Sequence, residues 1–231
     1  MINPGIVKVI RLILNLLNNN MSAWTWTYVK AKAIPENMVI SICDNAIKEI
    51  SNIWYYRNSK SNFDSVLKEW FKIHDEDYDY FVNECDVPKY KMTHEYLEQD
   101  LKNKIKTKDE YIKDLNLVKE GKLTLDECVR KHKIYEHHDL DYPQCYLIND
   151  DVWVKMNSEI FRLREYSDMY IENGLKTVNE LIEYLNEPSR QNNLIWWENS
   201  NLKEGMFPEF ETRLKEYYGQ FGDGNFSVHF G

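Results

Sequence analysis

A short segment near the middle of the chain combines the side chains that most often bind divalent metals. Imidazole nitrogens and carboxylate oxygens are typical ligands of zinc and related ions. The candidate ligands are His137, His138, Asp139 and Asp141. No partner histidine recurs at ligand spacing, and His132 is the nearest along the chain. These residues predict either the metal site of a hydrolase or nuclease, or a polar loop between a helix and a hairpin.

A second segment alternates carboxylates with tyrosines. Its residues are Asp75, Glu76, Asp77, Tyr78, Asp79 and Tyr80. Such a run can imitate a phosphate backbone and enter a basic groove on another protein, where the tyrosine rings act as anchors. We interpret it as a candidate partner-binding segment. The alternative is a solvated loop or helix end whose aromatic side chains turn inward.

A third set of residues is aromatic and lies in two segments. The set comprises Trp24, Trp26 and Tyr28, followed by Lys30 and Lys32, together with Trp196 and Trp197. On an open sheet, rings followed by lysines could stack on single-stranded nucleic acid and neutralise it. We expect a covered sheet face instead, because tryptophan side chains are usually largely buried.

Sequence motifs that would name a reaction are missing. The chain contains no P-loop, dinucleotide-binding, nucleophile-elbow, zincin or EF-hand motif. We therefore predict no cofactor. Catalytic groups that meet only in space leave no such pattern, so this observation favours a non-enzymatic protein without excluding an enzyme.

The composition disfavours nucleic acid as a direct ligand. The 231 residues include 38 acidic and 29 basic side chains, and the net charge is −9. Duplex DNA repels an acidic protein outside local basic patches, whereas a basic protein partner is attracted to it. The four cysteines are widely spaced and lack zinc-finger spacing, which indicates reduced thiols and a cytoplasmic location.

The candidate site residues are positioned by predicted strands and helices, whose order along the chain is that of an α+β fold. Strands are predicted at about 24–33, 144–148, 152–156, 159–165, 194–197 and 226–230. Helices are predicted at about 35–55, 63–74, 93–119, 124–132, 177–187 and 208–221. Capping-box patterns begin at Thr107, Thr124 and Thr177, so 93–119 forms either one helix or two. This order favours an antiparallel or mixed sheet with helices on one face and a charged helical insertion.

The predicted domain organisation separates the N-terminal segment from the rest. We expect residues 1–20 to form an apolar helix or extension and residues 21–231 to form a single α+β domain with a helical arm at about 93–133. The apolar run at 6–17 is shorter than the ~20 residues that span a bilayer, so we expect no membrane partner. Packing on the domain or on a second copy, and binding to a membrane surface, are the alternatives for this helix.

Three functional hypotheses follow. The leading one is a non-enzymatic accessory protein that binds a basic, nucleic-acid-binding protein. The abundance of Asn, Lys, Ile and Tyr is typical of AT-rich coding, which suits a phage or mobile element. A concrete form of this hypothesis is an anti-CRISPR-like inhibitor of a host defence complex. The others are the metal-dependent hydrolase or nuclease and a protein that self-associates through the 93–133 helices; the oligomeric state is not predicted.

Overall fold

The protein has an α+β fold. Its structure, a computed structural model, describes residues 25–59, 88–136, 142–157, 160–163, 171, 173–198, 201–204 and 209–230. The elements in chain order are β1 (Thr25–Lys30), α1 (Glu36–Asn52), α2 (Trp54–Ser59), α3 (Pro88–Lys119), α4 (Leu125–His132), β2 (Cys145–Ile148), β3 (Asp151–Asn157), β4 (Phe161–Leu163), α5 (Val178–Leu185), α6 (Pro188–Gln191), β5 (Leu194–Glu198), β6 (Asn201–Glu204), α7 (Phe210–Gly219) and β7 (Phe226–Phe230). Short 3-10 turns lie at Ala31–Ala33 and Ile134–Glu136.

The main sheet has four strands in the order β2-β3-β1-β7 and is antiparallel. β1 pairs with β3 on one side and with β7 on the other. Its side chains alternate as a pleated strand requires: Thr27 and Val29 are buried, and Trp26, Tyr28 and Lys30 lie on the opposite face, half-buried. The predicted α+β class with an antiparallel sheet is therefore confirmed.

The second sheet has three strands in the order β4-β5-β6. β4 and β5 fall within predicted strands, and β5 pairs antiparallel with both of its neighbours. β6 was not predicted, because the sequence Asn-Leu-Lys-Glu has few of the β-branched or aromatic residues that favour strands.

The described residues cluster into two compact units, one from residues 36–152 and the other from residues 1–35 and 153–231. In the first unit, α1 and α3 pack together around buried residues that include Cys43, Ile50, Tyr111 and Leu115. The predicted arm at 93–133 lies within this unit and contains most of α3 and all of α4. In the second unit, β7 and α7 supply a core of phenylalanine and tyrosine rings, and the hydroxyls of Thr27 and Tyr218 are hydrogen-bonded at 3.0 Å.

Some predicted boundaries were wrong, and the open choice between one helix and two at 93–119 is decided for one helix. The first strand ends at Lys30 and not near Ala33, because Ala31–Ala33 turns into a 3-10 helix. The first helix is broken at Ile53, where α1 ends and α2 begins after one residue. The capping-box pattern at Thr107 does not start a helix, since α3 runs unbroken for 32 residues and the Thr107 hydroxyl donates to the Asn103 carbonyl at 2.9 Å.

Candidate binding surface

The predicted hairpin around Asn149 and Asp150 is present and has a two-residue turn. Both turn residues have positive φ, 49° for Asn149 and 63° for Asp150. This conformation matches the twist of paired strands, and Asn and Asp tolerate it better than other side chains do. The turn therefore fixes the register in which β2 pairs with β3.

β2 lies at one edge of the four-stranded sheet and is unusually exposed for an apolar strand. Cys145 is only 6% exposed, but Tyr146, Leu147 and Ile148 are 43%, 40% and 48% exposed. A half-buried strand would alternate between covered and open side chains. Three consecutive open apolar residues therefore leave side chains exposed on both faces of this strand, which we call the β2 edge (Tyr146–Ile148).

Helices α3 and α4 hold the two ends of the β2 edge. Before the strand, the Tyr111 hydroxyl donates to the Tyr142 carbonyl at 2.8 Å. After it, the Arg130 guanidinium donates to the Asp150 carbonyl and also bonds the Asp126 carboxylate at 2.6 Å. Burial raises the pKa of the Tyr111 hydroxyl well above its ordinary value of 10.0, so this donor stays protonated at neutral pH. The backbone on each side of the edge is thus fixed to a helix.

A buried ion cluster joins the same two helices. Asp114 on α3 accepts from Lys131 at 2.6 Å and contacts His132 Nε2 at 2.7 Å, and the Asp114 and His132 side chains are 6% and 7% exposed. Burial raises the pKa of Asp114, but the hydrogen bonds and charges of Lys131 and His132 outweigh it and leave the pKa below 3.8. The His132 ring also packs on the Tyr111 ring, with centroids 5.0 Å apart. The cluster therefore supports the tyrosine that fixes the start of the β2 edge.

The three thiols of this unit that the structure describes are suited to packing and not to chemistry. Cys43, Cys128 and Cys145 are free and buried. Burial raises the pKa of Cys43 to about 11 and that of Cys128 to about 12, and it raises the pKa of Cys145 further. The reactive form of cysteine is the thiolate, so these side chains are poor nucleophiles at neutral pH.

A serine–histidine pair in the other unit has the hydrogen bonds of a catalytic dyad but lacks room for a substrate. Ser227 Oγ and His229 Nε2 are 2.9 Å apart, and His229 Nδ1 faces the Ile171 carbonyl at 3.2 Å. A Cβ at Gly174 would lie 2.1 Å from Ser227 Oγ, so the backbone of this glycine covers the hydroxyl. Burial lowers the pKa of His229 below 6.5, which keeps the ring neutral. The pair therefore fastens the segment around Gly174 to β7.

The aromatic residues of this set whose side chains the structure describes lie in two different sheets. Trp26 is half-buried with the Lys155 ammonium 5.3 Å from its ring centroid, and Lys30 lies 5.3 Å from the ring centroid of Trp153. Trp196 is buried on β5, which belongs to the other sheet. Its burial agrees with the covered sheet face that the sequence predicts. Lys32 does not continue the strand face, since it lies in the 3-10 turn.

Both site segments singled out from the sequence lie outside the described residues. These are Asp75, Glu76, Asp77, Tyr78, Asp79 and Tyr80, and His137, His138, Asp139 and Asp141. Their roles in partner binding and in metal binding therefore stay predictions. Within the described ranges, no three His, Cys, Asp or Glu side chains are placed to hold a metal ion.

Sequence reasoning missed the β2 edge, although a signal for it exists. The hairpin was recognised from its turn, but no exposed surface was predicted for its first strand. The signal is the uncharged run from Tyr142 to Asn149, which lies between acidic residues and lacks the lysine that usually protects an edge strand.

Comparison with other proteins gives no further assignment. No protein-family model matches the chain, and no characterised protein or solved structure matches it. Of the helices that the structure describes, none combines the length and apolar character needed to cross a bilayer.

Proposed function

We propose that this chain is a non-enzymatic accessory protein that docks on another protein. The observation that carries the proposal is the β2 edge, with its three consecutive exposed apolar residues at the border of the sheet. Natural proteins usually protect such an edge with lysine, proline or a bulge, because its free backbone groups can pair with another chain. An apolar edge strand whose own sequence contains neither lysine nor proline supports a binding role.

The anchoring of the edge supports the same role. Binding costs free energy when a flexible segment must be ordered. Here Tyr111 and Arg130 already hold the backbone on either side of β2. A partner would therefore meet a preorganised strand.

The groups that could carry catalysis among the described residues are engaged in the fold. Asp114 is bonded to both His132 and Lys131, the three described thiols are buried, and Gly174 covers Ser227. This arrangement supports binding over reaction.

Charge supports a basic partner. Residues 36–152 contain 25 acidic and 17 basic side chains, whereas the other unit contains 13 and 12. Nearly all of the net charge of −9 thus belongs to the unit that carries the β2 edge. A basic protein would be attracted to this unit, and nucleic acid would be repelled by it.

More concretely, the chain would be an inhibitor of a host nucleic-acid-binding defence complex. It would be encoded by a phage or mobile element and act in the cytoplasm. The acidic run at 75–80 would enter the groove that normally binds nucleic acid. The free thiols of Cys43, Cys128 and Cys145 suit a reducing compartment.

Affinity purification of the tagged full chain from a lysate of its source cells, with and without nuclease, tests the proposal. We expect a stoichiometric, basic protein that stays bound after nuclease treatment. The variant Asp75→Asn, Glu76→Gln, Asp77→Asn and Asp79→Asn should retain less of it. Recovery of the chain alone, or of a protein lost with nuclease, would contradict direct protein binding.

A further inference from the structure

We propose that the partner contributes a β-strand that pairs with the outer side of β2, and that this strand has an apolar centre flanked by Lys or Arg. The inference rests on the proposed binding function and adds the chemistry of the partner. It is carried by the backbone geometry of the hairpin, the exposure of the β2 edge and the charges around it.

The hairpin geometry defines which backbone groups of β2 point away from β3. In a two-residue hairpin, the residues next to the turn exchange hydrogen bonds with each other, and the pairs then alternate. Ile148 and Tyr146 are thereby directed to β3, and Leu147 presents its N–H and C=O to the outside. An added strand would use these groups, as in other cases where an extended segment joins a sheet edge.

The exposed side chains of β2 would be covered best by a partner strand with an apolar centre. Tyr146 and Ile148 project to one face of the sheet and Leu147 to the other, since side chains alternate along a strand. All three are at least 40% exposed. A partner strand with alternating β-branched or aromatic residues would cover both rows at once.

The surrounding charge selects basic flanks. No Lys or Arg occurs between Lys133 and Lys155, and Asp150 and Asp151 follow the β2 edge directly. The nearby guanidinium of Arg130 is already held by the carboxylate of Asp126. Positive residues at the ends of the partner strand would therefore be attracted to these acidic surroundings.

The same charges disfavour a second copy of this chain as the occupant. Pairing two β2 edges would bring two acidic units together, each with 25 acidic and 17 basic side chains. It would also place Asp150 and Asp151 of one copy near the start of the other strand, where Asp141 precedes Tyr142 in sequence. Like charges placed opposite each other destabilise a strand pair.

Selection of peptides on the immobilised full chain tests the inference without knowledge of the natural partner. The probe is a displayed library of fully random peptides of about twelve residues, long enough for a strand with both flanks. We expect enriched peptides with an alternating apolar centre and Lys or Arg at the ends. Absence of enrichment, or enrichment of acidic flanks, would overturn the inference.

Variants then locate the binding site. Leu147→Pro removes the outward N–H of this residue. The variant should bind synthetic forms of the enriched peptides about tenfold more weakly, or worse. Asp150→Asn keeps a residue that tolerates positive φ. It should reduce the affinity for these peptides about two- to fivefold, in a salt-dependent manner. Glu183→Gln, the same loss of charge on an exposed α5 position in the other unit, should leave binding unchanged.

Hydrogen exchange of the wild-type chain keeps the test valid if Leu147→Pro does not fold. Bound peptide should slow amide exchange at Tyr146–Ile148, and unchanged exchange there would overturn strand pairing. A dimer in sedimentation velocity that Leu147→Pro dissociates would overturn the basic partner in favour of a second copy.

The two proposals fail in different ways. A protein partner that is captured equally well by wild type and Leu147→Pro would leave the binding function intact and refute pairing at β2. Recovery of the chain alone from lysate would instead refute the function proposed above.

Discussion

At the scale of single residues, Asp114 links the two helices that support the β2 edge. It is buried and bonded to Lys131 and His132, and these partners hold its pKa below 3.8. Asparagine removes the negative charge that faces Lys131 and His132 and replaces one carboxylate oxygen by an NH2 donor, and a buried polar group mispaired in this way costs roughly 1–3 kcal/mol. We therefore expect Asp114→Asn to lower the free energy of unfolding by about this amount at pH 7.

The pH dependence of this effect has a definite sign. Because the folded-state pKa is lowered, ionised Asp114 contributes stability above its unfolded value of 3.8, and this contribution is lost as the pH falls through the folded pKa. Urea unfolding of wild type and Asp114→Asn should converge in that acidic range. Asp100→Asn is the control, since its pair with Lys104 is exposed and should contribute less than about 1 kcal/mol. Equal losses for both variants would contradict the structural role of Asp114.

Gly174 should tolerate alanine less well than Gly121, although the two residues share the left-handed conformation. Their φ angles are +64° and +68°, and only at Gly174 would the new Cβ collide, 2.1 Å from Ser227 Oγ. Gly121→Ala should cost about 1–2 kcal/mol from backbone strain alone. Gly174→Ala should carry the same backbone strain and cost about 1–3 kcal/mol more, because the new Cβ overpacks the site. Chemical unfolding of both variants measures the difference, and equal costs would argue against the covered serine.

At the scale of elements, the capping boxes give a matched pair of predictions. Thr124 accepts from the Glu127 N–H and begins α4, whereas Thr107 shows the same sequence pattern within α3. Loss of an N-cap typically costs about 1 kcal/mol, so Thr124→Ala should destabilise by this amount. Thr107→Ala should be neutral or slightly stabilising, because alanine favours helix interiors. Thermal unfolding that shows the same loss for both would contradict the continuous α3.

The same pair shows why elements were easier to predict than their boundaries. The boxes at Thr124 and Thr177 start helices as predicted, and the turn at Asn149 and Asp150 makes the predicted hairpin. These signals are local. The pattern at Thr107 failed because tertiary packing of Tyr111 and Leu115 keeps α3 continuous, and packing is not visible in a local pattern.

The candidate site was harder to predict than the fold for a related reason. The exposure of Tyr146, Leu147 and Ile148 depends on β2 being an edge strand, which follows from the sheet order and not from the strand's own sequence. Likewise, Asp114 and His132 meet only because α3 and α4 pack together.

At the scale of the whole molecule, the N-terminal segment is predicted to be dispensable. Residues 1–20, which lie outside the described residues, read as an apolar helix or extension apart from the α+β domain. Deleting them should leave the melting temperature unchanged. A large drop in a calorimetric scan of the shortened chain would show instead that the segment contributes to a core.

The charge distribution gives the molecule a polarity that a binding protein can use. The unit of residues 36–152 is acidic and carries the β2 edge, and the other unit is nearly neutral. Long-range attraction would steer a basic partner to the acidic unit, and strand pairing would then hold it. Raising the ionic strength should therefore slow association more than it speeds dissociation.

The most direct test of the account compares the tagged wild-type chain with Leu147→Pro and Glu183→Gln in parallel nuclease-treated purifications, with the bound proteins quantified by mass spectrometry. The account predicts one basic protein that is retained by wild type and Glu183→Gln and strongly depleted with Leu147→Pro, while all three chains keep the same melting temperature. Equal recovery with all three chains, or no bound protein with wild type, would contradict docking through the β2 edge.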